Sequence, residues 1–175
     1  MKIKHMDYKR INNNAEKTAQ AIIDVIGKRR ASILDLVKWI EENYGRGVQV
    51  ISLDLSNKIC SGLVYPSKNY YEIWVDKNDP PERQHFTLCH ELGHIVKDCN
   101  LSYGFFQEDA HTAKGTERFC NRFAAAFLMP AKEFISKWNN LSHPFLLKKY
   151  SVAKHFKVSK EAVHYRAKEL GLNLE

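Results

Sequence analysis

The stretch His90-Glu91-Leu92-Gly93-His94 places two imidazoles four residues apart, with a carboxylate directly after the first. On an α-helix, residues i and i+4 lie on one face about 6 Å apart along the axis, so both rings can reach a single metal ion. Glu91 would lie roughly 100° round the helix, close to the metal without binding it. This spacing is typical of a catalytic zinc site, in which the metal lowers the pKa of a bound water and the carboxylate accepts its proton.

The residues around this stretch predict that it lies on a largely buried helix. Pro80, Pro81 and Glu82 form a helix start, and no proline interrupts the chain from there to about Lys97. The apolar side chains that can bury the helix are Phe86, Leu88, Cys89, Leu92, Ile95 and Val96. Gly93 lowers helix stability by roughly 1 kcal/mol relative to Ala, so we expect a strand edge or the substrate backbone to pack closely there.

A catalytic zinc has three protein ligands and one open position, so a third ligand has to come from another segment. Residues 115–130 predict a second buried helix, which Thr116 would cap and Pro130 would end. Its apolar stripe consists of Phe119, Phe123, Ala126 and Phe127. Glu117, in the first turn, is the candidate third ligand. Asn121, one turn further on the same face, could accept the second N–H of a ligating imidazole and fix its tautomer.

Together these two segments resemble the ImmA/IrrE-type metallopeptidases. The resemblance is carried by Arg83-Gln84-His85-Phe86-Thr87-Leu88-Cys89, by the histidine stretch that follows it, by Glu117-Arg118-Phe119-Cys120-Asn121-Arg122-Phe123-Ala124-Ala125 and by Leu128-Met129-Pro130. It implies that His90, His94 and Glu117 bind Zn²⁺ and that Glu91 is the general base. Members of this family typically act in the bacterial cytoplasm on a transcriptional repressor, often one carried by a mobile element or prophage or one that controls a stress regulon. Cleavage of the repressor switches genes on.

Other interpretations of the same residues are open on the sequence alone. The two histidines could be core residues with satisfied hydrogen bonds, and Glu117 could stabilise a helix N-terminus. A structural zinc would need a fourth Cys or His, for which the nearby candidates are His85, Cys89 and His111. Neither His85 nor Cys89 joins the i, i+4 face of the histidine pair. The whole chain could also be a DNA-binding regulator, or a protein that sequesters a repressor, with a metal site that is not catalytic.

The remaining pattern predicts an α+β fold, with a mostly helical zincin-like core and a small sheet of about three strands. Helices are expected at residues 14–27 and from Ser32 to the glycines at 45 and 47, and strands at 48–55, 59–65 and 70–75. We expect the sheet to pack against the metal helix and its edge to bind an extended peptide as a further strand.

The segment 97–114 has no clear periodicity and predicts a loop over the active site. Catalysis needs a hydrogen-bond donor for the developing oxyanion. Tyr103 or His111 could provide it, or both could be ordinary loop residues.

The predicted domains are a metallopeptidase core at residues 1–142 and a helix-turn-helix-like element at 143–175, with helices at 145–156 and 159–170 and Ser159 as an N-cap. Its expected buried positions are Leu147, Val152, Ala153, Phe156, Val158, Val163, Ala167 and Leu170.

The exposed face of this element would carry Lys157, Lys160, His164, Tyr165 and Lys168, which could contact phosphates. Few arginines or amides suited to base edges accompany them. DNA binding through residues 145–170 is therefore possible but not favoured, and packing or substrate recognition is the favoured role.

Composition favours a soluble cytoplasmic protein. The 175 residues are 44% hydrophobic, and neither a membrane span nor an apolar secretory core is apparent. The four cysteines form no C-x-x-C pair, which argues against a zinc ribbon and a disulfide framework. The +7 net charge comes from the two ends, since residues 1–31 carry eight Lys or Arg against three acids and residues 146–175 carry seven against three. Such a basic periphery favours work near DNA or an acidic partner.

Overall fold

The structure is a computed structural model that describes residues 7–56, 60–98, 113–142 and 144–174. Within these ranges the chain forms seven helices and one three-stranded sheet, which confirms the predicted α+β class. In chain order the elements are α1 (Tyr8–Ile26), α2 (Ile33–Tyr44), β1 (Gly47–Leu53), β2 (Gly62–Pro66), β3 (Tyr70–Asp76), α3 (Pro81–Asp98), α4 (Ala113–Leu128), α5 (Ala131–Asn139), α6 (Phe145–Phe156) and α7 (Lys160–Glu169).

The sheet is mixed, with strand order β1-β3-β2. The central strand β3 pairs in parallel with β1 and antiparallel with β2. Alternate residues of β3 (Tyr71, Ile73 and Val75) are buried and belong to the main hydrophobic core. The strand therefore presents one face to the helices, as the period of two along a strand requires. β2 is left at one edge of the sheet.

Three aromatic rings on α4 belong to the hydrophobic core. Phe119, Phe123 and Phe127 are fully buried and stack at centroid distances of 6.1 and 6.0 Å. Ala126 is buried beside them, so the predicted apolar stripe of this helix is confirmed. Buried side chains of α6 and α7 join the same hydrophobic core. The predicted division of the chain at residue 142 stays a prediction.

Two helix starts follow the sequence prediction. The Ser32 hydroxyl accepts the Asp35 backbone N–H, and the Asp35 carboxylate accepts the Ser32 N–H at 2.8 Å, which completes a capping box. Ser159 caps α7 by accepting the Ala162 N–H at 3.0 Å. Between α6 and α7, Lys157 takes the left-handed conformation at φ 55°, in a position where glycine is more usual.

Other boundaries differ from the prediction. α1 begins at Tyr8 rather than at residue 14, because Asp7 caps it by accepting the Arg10 N–H at 3.0 Å. α4 begins at Ala113, so Thr116 is not its N-cap and Glu117 lies in its second turn.

Burial and boundaries also differ from the prediction at three other places. The predicted burial of Leu147 is wrong, since this side chain is 56% exposed. β2 begins at Gly62, and residues 57–59 lie outside the described residues. α3 continues to Asp98, whereas Tyr103, His111 and most of the expected loop also fall outside the described residues.

A partly buried ion-pair network joins the C-terminal helix α7 to α1 and α4. The fully buried Arg166 donates to both Glu16 carboxylate oxygens, at 2.6 and 2.8 Å, and its Nε donates to the Met129 carbonyl at 3.0 Å. Arg122 also contacts Glu16, at 3.1 Å, and pairs with Glu169. Burial opposes ionisation of Glu16, but its hydrogen bonds and ion pairs with the two arginines outweigh burial and lower its pKa.

None of the helices in the described residues is long and apolar enough to cross a membrane.

Candidate metal centre

The candidate metal centre lies where α3 packs against α4, and Gly93 sets the spacing between them. A Cβ atom on Gly93 would lie 3.1 Å from Phe123 Cδ1 and 3.4 Å from Cys120 Cα. The close neighbour predicted from this glycine is therefore α4, and the expectation of a strand edge or substrate backbone was wrong. The close packing of the two helices brings Glu117 of α4 to the histidines of α3.

Donor groups of three residues converge at this contact. The Nε2 atoms of His90 and His94 lie 3.2 Å apart. His90 Nε2 lies 3.3 Å from Glu117 Oε2, and His94 Nε2 lies 3.3 Å from the other carboxylate oxygen, Oε1. Tetrahedral zinc with bonds of about 2.0–2.1 Å holds its ligand atoms about 3.3–3.4 Å apart. The two imidazole nitrogens and a carboxylate oxygen of Glu117 therefore lie close enough together to bind one tetrahedral ion, and among the described residues they would provide three of its four ligands.

A structural zinc would need a fourth ligand, and neither His85 nor Cys89 joins this group. The third candidate, His111, lies outside the described residues. The His85 ring contacts the Lys157 carbonyl through Nδ1 at 3.0 Å. Cys89 is fully buried, and burial raises the pKa of its thiol, which disfavours the thiolate form that binds metals. Among the described residues, the group that could hold one ion is limited to His90, His94 and Glu117.

Asn121 orients the first histidine. Its side-chain oxygen lies 3.0 Å from His90 Nδ1 and accepts that N–H, which leaves the lone pair on Nε2 for a metal. Burial and the neighbouring His94 lower the pKa of His90, although Glu117 and Asn121 oppose this shift. The ring is therefore favoured in the neutral form that metal binding requires.

Glu91 follows His90 on α3, and its carboxylate contacts the edge strand β2 of the sheet. Its side chain is buried, and its carboxylate accepts a hydrogen bond from the Val64 backbone N–H of β2. Burial, together with the negative charge of Glu117, raises the Glu91 pKa to about 7. A carboxyl group with such a pKa can both accept and release a proton near neutral pH, as a general base that later acts as an acid must do.

The edge strand β2 meets α3 at a glycine that the sequence analysis did not single out. A Cβ atom on Gly62 would lie 2.4 Å from Thr87 Cγ2 and 3.0 Å from Glu91 Oε1. A glycine inside a strand often marks the close approach of another group, which is the signal that could have identified it. The packing of the sheet against the metal helix, predicted from the sequence, is therefore present. Binding of an extended peptide at the sheet edge stays a prediction.

We expect Gly62→Ala to destabilise the protein by about 1–3 kcal/mol and to impair any reaction that depends on Glu91. The added methyl group forces β2, Thr87 or the Glu91 carboxylate to move. Urea unfolding measures the stability, and Gly47→Ala in β1 is the matched control, since a Cβ there meets its nearest atom at 3.8 Å. Equal stability of the two variants would contradict the close contact.

Comparison with known proteins gives a family match that includes the candidate metal centre. The model of the IrrE N-terminal-like domain, peptidase family M78, matches residues 45–168. A solved structure described as a Mycobacterium tuberculosis transcriptional regulator shares the fold, with a TM-score of 0.64 and 21% identity. The alignment covers 92% of this chain and 49% of that chain, so this chain spans about half of that structure. No curated protein shows significant similarity to the chain. The family match includes α3 and α4 in full, and the chain belongs to the ImmA/IrrE family of metallopeptidases, peptidase family M78.

Proposed function

We propose that the protein is a zinc-dependent endopeptidase of the HExxH type that acts in the bacterial cytoplasm. In this proposal His90, His94 and Glu117 bind Zn²⁺ and Glu91 is the catalytic base. The observation that carries the proposal is the convergence of His90, His94 and Glu117, with contacts of 3.2–3.3 Å between their donor groups, beside a buried carboxyl group. Membership of a metallopeptidase family supports the same chemistry.

A bound zinc ion would polarise the scissile carbonyl and acidify the attacking water. The Glu91 side chain transfers the proton in two steps. Glu91 accepts a proton from the water as the water oxygen bonds to the carbonyl carbon. When the C–N bond breaks, Glu91 passes this proton to the leaving nitrogen. Asn121 keeps the His90 ring in place throughout.

The proposed substrate is a transcriptional repressor of a mobile element, prophage or stress regulon. This assignment rests on the family resemblance and is consistent with the regulator-like structural neighbour. To test it, new protein N-termini are compared by mass spectrometry in bacteria expressing the wild type or Glu91→Gln. We expect a DNA-binding repressor to gain a new N-terminus only with the wild type. Identical sets of N-termini in both strains would contradict the proposal.

We expect Glu117→Ala to lower zinc affinity by more than about 100-fold, because even the loss of a partner to a ligand costs about 10–100-fold. The measurement is the zinc content of purified protein after dialysis, by elemental analysis. Glu42→Ala, an exposed change on α2, is the control and should retain about one equivalent of zinc. Stoichiometric zinc in Glu117→Ala would remove this residue from the ligand set.

A DNA-binding regulator is the second candidate, because Lys157, Lys160 and Lys168 are exposed on the C-terminal helices. The single arginine of α7, Arg166, is fully buried against Glu16 and cannot reach a base edge. A gel-shift experiment run beside a cleavage assay separates the candidates. A full shift with Glu91→Gln and no cleavage by wild type would favour the regulator. Repressor binding without fragments would indicate sequestration.

A further inference from the structure

A cavity of about 520 Å³ adjoins the candidate metal centre. Glu117 and Asn121, which both contact the histidine pair, form part of its wall, so the cavity reaches the edge of the candidate metal centre. The wall continues along α4 and across to α7 and α3. Its apolar part consists of Phe86, Ala125, Met129 and Ala162. A side chain next to a peptide bond held at the metal centre could therefore enter this cavity.

Two cations on α4, Lys114 and Arg118, stand one turn apart in the cavity wall, and we refer to them as the cationic rim. The Tyr8 ring of α1 lies beside both, with its centroid 4.5 Å from Arg118 Cζ and 5.8 Å from Lys114 Nζ. Arg118 Nε also donates to Asn12 Oδ1 at 2.9 Å. These contacts orient the guanidinium and use only its Nε, so the two terminal nitrogens can donate paired hydrogen bonds to a carboxylate.

The acidic residues near the cavity have other partners. Glu169 pairs with Arg122, and Glu16, behind the wall, pairs with Arg166 and Arg122. Glu117 faces the two histidines. Among the described residues, no acid forms an ion pair with the cationic rim. The cavity therefore combines an apolar wall with two positive charges that no described carboxylate neutralises.

We propose that this cavity is a substrate subsite and that it binds an acidic side chain, aspartate or glutamate, next to the scissile bond. The substrate carboxylate pairs with Arg118 and Lys114, and its methylene groups contact the apolar wall. This inference rests on the proposed peptidase function, because the cavity is a substrate subsite only if the protein cleaves peptides. The binding preference itself does not require zinc, because the cationic rim contains no metal ligand.

The test titrates the isotope-labelled full chain, with and without zinc, by NMR. The probes are the peptides acetyl-Ala-Glu-Ala-Ala-amide and acetyl-Ala-Gln-Ala-Ala-amide, which differ only in charge. We expect the glutamate peptide to bind about tenfold more tightly and to shift the amide signals of residues 114–122 and 162–166. Equal affinities, signals that shift elsewhere, or no shift with either peptide would each overturn the proposal.

Paired variants make the assignment specific. Lys114→Gln/Arg118→Gln should remove the preference for glutamate. Lys38→Gln/Lys132→Gln changes the net charge equally at exposed residues that do not line the cavity, and it should keep the preference. Loss of the preference in both pairs would overturn the subsite in favour of a general charge effect.

Zinc binding and cleavage measurements, taken with the peptide titrations, test the acidic subsite and the peptidase activity separately. A glutamate preference at the cavity in a protein that binds no zinc would support the acidic subsite and contradict the peptidase. Zinc-dependent cleavage with equal rates for glutamate and glutamine substrates would support the peptidase and contradict the subsite.

Discussion

Replacing Glu91 by Gln is expected to lower the cleavage rate by about 10²–10⁴-fold while bound zinc stays near one equivalent. The amide has nearly the same size as the carboxylate, so the packing against β2 is largely kept. It cannot accept a proton from water at neutral pH, and the step that activates the nucleophile is lost. The measurement pairs the rate of repressor cleavage with elemental analysis of the same protein preparation.

The matched control is Glu82→Gln, which removes a carboxylate from the exposed first turn of the same helix, α3. This variant should cleave at the wild-type rate. If Glu91→Gln cleaved as fast as this control, Glu91 would not be the base. If it lost zinc as well, its effect on the rate could not be assigned to proton transfer.

The second large effect is expected in the ion-pair network around Arg166. Glu16→Gln should lower the free energy of unfolding by about 3 kcal/mol, since removing one partner of a buried pair leaves an uncompensated charge. We take the lower end of the usual range because the Glu16 side chain is 29% exposed. The measurement is urea unfolding, with Asp24→Asn on the exposed face of α1 as the control.

The pH dependence of stability gives an independent measure of the same network. The pKa of Glu16 is lower in the folded chain than in the unfolded chain. Its contribution to the free energy of unfolding is therefore complete at pH values above the pKa of the unfolded chain. It is lost as the pH falls through the lowered folded pKa. In the acid range, wild-type stability should therefore fall more steeply than that of Glu16→Gln. Parallel curves for the two proteins would contradict an ionised, paired Glu16.

Features encoded within one helix or turn were predictable from the sequence. The histidine spacing, the Ser32 capping box and the apolar stripe of α4 depend on neighbours a few residues away. The α4 start was predicted too late, because Ala113, Lys114 and Gly115 carry no start signal of their own.

Features that depend on distant parts of the chain were not predictable. Arg166 is buried because Glu16, 150 residues away along the chain, accepts its hydrogen bonds. The parallel pairing of β1 with β3 also depends on tertiary packing. The family resemblance indicated that Glu117 lies near the two histidines. The distances between the Glu117 carboxylate and the imidazole rings depend on how closely α3 approaches α4, which the sequence does not give.

If the proposed metal site is correct, the absence of a side chain at Gly93 links metal affinity to the spacing between α3 and α4. The proposed ligands come from α3 and α4, so metal binding at this site would stabilise the packing of the two helices against each other. A chelator should then loosen the helix pair as well as extract the ion. A bulkier residue at position 93 should weaken metal retention without ever touching the metal.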